Sequence, residues 1–251
     1  MAITCILNDY KKNGCSSCSV PCAHRIALVG LNGEGGRIGA ARIPKLYRGT
    51  TLANSPARHD QARIYADLSD YVQQFAQHFK EGGSRLHSVY LFSNNTGTGK
   101  TTTACALLVE YIIQSYISAL KNGQQPPLTP GYFLDVNEWQ ELYNEFNRPN
   151  VPTAIAQKAS YEYYLQMRKA INADCLVMDD IGVRSSSEAF RGDLHKIINT
   201  RLSDNKPTIY TSNISIEQLE QIFDRRVADR VRAMCKEYRF RGNSKRGEFT
   251  S

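Results

Sequence analysis

No run of 18 consecutive apolar residues occurs anywhere in the sequence, so nothing in it reads as a membrane-spanning helix. The N-terminus lacks a basic segment followed by an apolar stretch and a small-residue cleavage site, the pattern of a secretory signal. Internal repeats and low-complexity tracts are also missing, which argues against a repeat array. These absences lead to the expectation of a soluble, cytoplasmic globular protein. Its 251 residues are enough for one ordinary domain and a small appendage.

Most of the chain has no charge excess. The net charge of +7 lies in residues 225–246, which hold nine Lys or Arg against two acids, Asp229 and Glu237. The remainder has 22 residues of each sign. Such a stretch can be a nucleic-acid footprint, a set of arginines aimed at nucleotide phosphates, or a solvated helix face.

Residues 1–45 have few long apolar patterns but hold four of the seven cysteines, with five glycines between residues 30 and 39. A segment this small needs a staple to fold. Clustered cysteines in a cytosolic chain read as metal ligands before disulfides. Cys5, Cys15, Cys18 and Cys22 are the expected zinc ligands, with His24 in place of Cys5 as the alternative. Cys105, Cys175 and Cys235 read as core thiols. A linker is expected at Ile43-Pro44-Lys45-Leu46-Tyr47, which divides the chain into a cysteine-rich module, 1–45, and a main domain, 46–251.

In the main domain, apolar residues spaced by three and four predict a helix over 60–79. Strands are predicted at 89–92, 132–136, 175–178 and 208–211, alternating with helices at 100–120, 137–146, 153–171, 188–203 and 214–223. That alternation predicts an α/β fold with a parallel sheet between helices.

Two segments carry chemistry. Asn94, Asn95, Thr96, Gly97, Thr98, Gly99, Lys100, Thr101 and Thr102 follow the first predicted strand and open a helix, the setting of a phosphate-cradling loop. Loop N–H groups and the helix N-terminus would wrap the phosphates of ATP. Lys100 would reach the β- and γ-phosphates, and Thr101 would ligate Mg²⁺. Asn94 replaces the usual first glycine, and Asn tolerates a positive φ. The strand Cys175-Leu176-Val177-Met178 delivers Asp179 and Asp180 to its C-terminal end. Asp179 would hold Mg²⁺, and Asp180 would orient or activate water. Asn213, after the fourth strand, reads either as a bridge between water and γ-phosphate or as a helix cap.

Together these residues resemble the AAA+ ATPases, specifically the bacterial and phage replicative helicase loaders of the DnaC/DnaI type. The similarity spans roughly residues 43–246. It rests on the loop, on Leu176-Val177-Met178-Asp179-Asp180-Ile181-Gly182, on Thr211-Ser212-Asn213 and on Arg226-Val227-Ala228-Asp229-Arg230. The resemblance implies a Mg-dependent ATPase, slow as a lone subunit, with an arginine finger at Arg230, Arg226 being the second choice. It implies a sensor role for Arg246, and a ring or spiral that self-associates through the ATP site. The implied partners are a replicative helicase, docked through the cysteine-rich module, and single-stranded DNA. Lys158, Tyr161, Tyr163, Tyr164, Arg168 and Lys169 are the candidate DNA-contacting stretch, or simply a packing face with solvated lysines. A transposition helper acting on duplex DNA and an ATP-switched adaptor are the alternatives.

Overall fold

The computed structural model describes residues 5–7, 22–182, 187–221, 223 and 225–242. Short helices α1 (Ala23–Val29) and α2 (Gly36–Ala40) and a 3₁₀ turn (Lys45–Tyr47) precede α3 (Ala62–His78). Alternation follows: β1 (Ser88–Phe92), α4 (Lys100–Lys121), β2 (Gly131–Asp135), α5 (Val136–Asn147), α6 (Thr153–Asn172), β3 (Cys175–Asp179), α7 (Glu188–Ser203) and β4 (Thr208–Ser212). A second 3₁₀ turn (Ile216–Gln221), α8 (Arg225–Met234) and β5 (Cys235–Arg239) complete it. The five strands lie in the order β2-β3-β4-β1-β5, every neighbouring pair parallel. All strand C-termini therefore point to one edge of the sheet, where open α/β folds bind ligands.

Alternating strand residues serve two cores, as the two-residue pleat requires. Val89, Leu91, Val177 and Ile209 face α3 and α4. Tyr90, Phe92, Leu176, Met178 and Tyr210 face the side of α5, α6, α7 and α8. Among the described residues α4 alone is long and apolar enough to cross a membrane, but 72% of its apolar window is buried inside the fold. It is the central core helix. Of the apolar residues that predict α3, Leu68, Tyr71 and Phe75 are buried and Ile64, Val72 and Phe79 are half-buried, with Tyr65 buried beside them. Gly82, at φ +68°, turns the chain after it.

Three expectations are revised. Ile43, placed in a linker, is fully buried with Leu28, Ile38 and Ala41 in the same core as α3 and α4. For the described residues, the boundary expected at residue 45 therefore runs through continuous packing. The helix expected at 214–223 is only the 3₁₀ turn Ile216–Gln221. β5 was not foreseen because Lys236, Glu237 and Arg239 give it a charged, exposed pattern suited to an edge strand.

At the sheet end opposite the site, Arg201 of α7 is fully buried. Its guanidinium donates to the carbonyls of Ala170 (2.9 Å), Ala173 (2.6 Å) and Pro207 (2.7 Å), and its Nε to Thr208 Oγ1 (2.9 Å). One side chain thus satisfies the end of α6 and the start of β4. Arg201→Met would orphan several buried acceptors at once. The expected loss is about 3–5 kcal/mol of unfolding free energy, read as a lower urea midpoint at unchanged slope.

Candidate functional site

Directly after β1, Ser93 donates its N–H to the Ser212 carbonyl (3.2 Å), which ties the loop's start to the end of β4. Gly97 (φ +69°) and Gly99 (φ +96°) take left-handed conformations that let the backbone double back before α4. A side chain at Gly99 would come within 2.5 Å of the Ala57 Cβ, so the segment before α3 presses directly on the loop. Asn94 does not use the positive φ expected of it, and the loop closes without a left-handed residue there. α4 starts with Gly99 as N-cap and no side-chain cap. Its first-turn N–H groups are the kind an anion satisfies. Thr98 Oγ1 is buried without a hydrogen-bond partner among the described residues. Lys100 is folded back, its ammonium donating to the carbonyls of Asn95 (2.9 Å) and Ser93 (3.4 Å).

β3 brings the acids beside this loop. Asp179 is 8% exposed. Its Oδ1 accepts from Thr211 Oγ1 (2.7 Å), and its Oδ2 accepts from Thr101 Oγ1 (3.2 Å). Burial pushes its pKa up to about 6; the two hydroxyls pull it down, and the nearby Asp135 and Asp180 raise it further. A carboxylate and a hydroxyl at this separation are oxygen donors of the kind that suits a hard divalent cation such as Mg²⁺. The residues fit the ion.

Asp180 sits at φ +59°, unusual for a residue with a side chain. Its N–H donates to Thr211 Oγ1 (2.8 Å), so one hydroxyl fixes both acids. Its carboxylate is gripped from two sides, by Asn213 Nδ2 on Oδ1 (3.1 Å) and Asn137 Nδ2 on Oδ2 (3.0 Å). Such a carboxylate is held in a fixed orientation.

Asn213 is not the cap of the turn that follows it. Ser212 Oγ and Gln218 Oε1 accept the N–H groups of Ile214 (3.2 Å) and Ser215 (3.0 Å) instead. Asn137 and Thr211 are the site residues that sequence reasoning missed. No local pattern marks Asn137. The signal is the sheet, because Asp135 pairs with Asp179 and the residues beyond each strand become neighbours.

The structure gathers Lys100, Thr101, Asp179, Asp180 and Asn213, but neither Arg230 nor Arg226. Arg230, exposed on α8, bonds Asn199 and Ser203 (3.2 Å) of α7. Arg226 is exposed on the same helix. Arg246 lies outside the described residues, as do Cys15 and Cys18. Cys5 is buried, Cys22 is half-buried, and His24 Nδ1 meets the Tyr116 hydroxyl at 2.9 Å. Among the described residues no three His, Cys, Asp or Glu side chains form a metal-binding group. On α6, Tyr161 (61% exposed) and Tyr164 (51%) share a face with Arg168, while Tyr163 is buried in the core.

The Asp179 pKa has a testable sign. It is raised above the unfolded value near ~4, so the stabilisation it gives is complete below pH ~4 and lost as pH rises through about 6. Without divalent ions, Asp179→Asn should stabilise the chain by roughly 2 kcal/mol at pH 7.5 and by almost nothing at pH 4. Thermal unfolding at the two pH values measures this.

No family model matches the chain. Over 61 residues it is 34% identical to the replicative helicase loader DnaC of Escherichia coli strain K12, covering 24% of this chain and 25% of that protein. The chain thus matches only about a quarter of the length of this curated relative. The fold is similar to the crystal structure of the DnaC helicase loader, with a TM-score of 0.54, 21% identity, and coverage of 78% of this chain and 99% of that one. It is also similar to the crystal structure of DnaI, with a TM-score of 0.51, 18% identity, and coverage of 78% and 90%. The replication initiator DnaA bound to AMPPCP and single-stranded DNA has a TM-score of 0.52 and 15% identity, over 80% of this chain and 51% of that one. The chain is similar to the DnaC/DnaI-type helicase loaders, in sequence over about a quarter of its length and in fold over more than three quarters of it.

Proposed function

We propose that this chain is a Mg-dependent ATPase that binds a replicative hexameric helicase and helps place it on single-stranded DNA. The observation that carries the reading is the pairing of Thr101 and Asp179 at 3.2 Å beneath a lysine-bearing loop whose helix start is uncapped. In this reading Lys100 leaves the Asn95 carbonyl to meet the β- and γ-phosphates. Thr101 and Asp179 hold Mg²⁺, which when bound neutralises charge on the transferring phosphoryl group. Asp180 takes the proton of the attacking water. Asn213 and Asn137 set the direction of its carboxylate, and so position rather than react.

Arg230 is proposed as the finger that reaches a neighbouring subunit's γ-phosphate, its exposure on α8 supporting a role in trans. Arg226 is the second choice, and Arg246 is proposed as the sensor within its own subunit. The exposed Tyr161 and Tyr164, with Lys158 and Arg168 beside them, suit base stacking and phosphate contact along one strand. Helicase docking and a zinc site stay proposed for the cysteine-rich segment, and a zinc content near one per folded chain is the expected result.

Asp180→Asn should retain ATP binding and lose turnover by about 10²-fold or more, measured as phosphate release beside nucleotide titration. Loss of binding together with turnover would contradict the role given to Asp180. Arg230→Ala should lower turnover by roughly 10³-fold, and adding Asp180→Asn chains, which keep Arg230, should restore part of it. No restoration at any mixing ratio would remove the finger in trans. Replacing Tyr161 and Tyr164 together by Ala should weaken single-stranded DNA binding by about tenfold or more at fixed salt.

A further inference from the structure

Beyond β5 the chain does not leave the sheet freely. Phe240 N–H donates to the Phe92 carbonyl (2.7 Å), which carries the pairing with β1 one residue further. The Gln61 carboxamide then grips the backbone of Arg241 on both sides. Its Nε2 donates to the Arg241 carbonyl (2.6 Å), and its Oε1 accepts the Arg241 N–H (3.4 Å). Gln61 is 5% exposed and occupies the N-cap position of α3, yet its side chain caps nothing there. Ser, Thr, Asp or Asn would serve that helix better, so the residue's use lies elsewhere. One residue on, the Gly242 carbonyl accepts from Asn95 Nδ2 (2.9 Å).

Asn95 belongs to the phosphate loop, and its own carbonyl is the acceptor of the Lys100 ammonium. Its N–H is held by Ser93 Oγ (3.2 Å). A single loop residue therefore stows the lysine with its main chain and holds the C-terminal segment with its side chain. An arriving triphosphate competes for both. It draws Lys100 off the Asn95 carbonyl, and its oxygens are stronger acceptors for loop donors than the neutral Gly242 carbonyl.

We propose that Gln61 and Asn95 form a latch that holds residues 241–242 while the phosphate loop is empty and releases them when a triphosphate fills it. Release frees the Arg241 backbone from the Gln61 carboxamide and the Gly242 carbonyl from Asn95. Gln61 and Asn95 are positioning residues in this device. The inference rests on the reading that the loop binds a triphosphate, and the two are tested separately.

The experiment is amide hydrogen exchange at Arg241 and Gly242 in the full chain, with and without Mg²⁺ and AMPPCP, beside a direct titration of AMPPCP. Exchange there should rise about tenfold on saturation while the amides of β1 stay protected. Gln61→Ala should show the faster exchange without nucleotide and change little when it is added, with AMPPCP affinity within about twofold of the parent. Gln61→Glu keeps the acceptor for the Arg241 N–H and should fall between, with β1 protection in both variants reporting an intact fold. If AMPPCP binds and exchange at Arg241 does not change, or if Gln61→Ala exchanges like the parent, the latch is overturned. If AMPPCP fails to bind at all, the triphosphate reading fails first and the coupling falls with it.

Discussion

A buried carboxylate at the end of an apolar strand is the constraint around which this fold is arranged. Asp179 emerges from four buried residues of β3 into surroundings that disfavour its charge, and burial dominates its raised pKa. Two threonine hydroxyls, one from the first turn of α4 and one from β4, are what make the ionised form tolerable. A cation would complete what the hydroxyls begin.

Sheet register supplies the precision. The parallel order places the ends of β1, β3 and β4 side by side, so the loop, the two acids and Asn213 converge with no long connection. β2 adds Asn137 by the same logic. Far from this edge, Arg201 fastens α6 to β4 through carbonyl contacts. The base of the sheet is locked by many satisfied groups, while at the opposite edge Thr98 Oγ1 is buried with no hydrogen-bond partner among the described residues.

Much of this was legible in the residues themselves. The loop motif, the apolar strand ending in two acids and the strand–helix alternation give the architecture and five site residues, because each is a local pattern. Asn137 was not legible, since only strand pairing places it opposite Asp180. β5 was hidden by its charged exterior, and the packing of Ile43 by the glycines and proline around it. The grip of Gln61 on Arg241 joins residues 180 positions apart and leaves no trace in either neighbourhood. Arg230 shows the opposite limit, because its contacts within one chain, to Asn199 and Ser203 of α7, do not bear on the role in trans proposed for it.

The two margins of the sheet carry a final consequence. Beyond β2, Ala41 accepts the Phe133 N–H at 2.8 Å, so the α2 region already occupies that border. β5 forms the other border with alternating charges, and its Lys236 is tethered to Asp67 of α3 (3.6 Å). Among the described residues, one border is thus partly covered by a main-chain contact and the other is screened by charged side chains. Borders of this kind disfavour the addition of a further strand, so contact with a second molecule is better served by helices and loops than by the sheet.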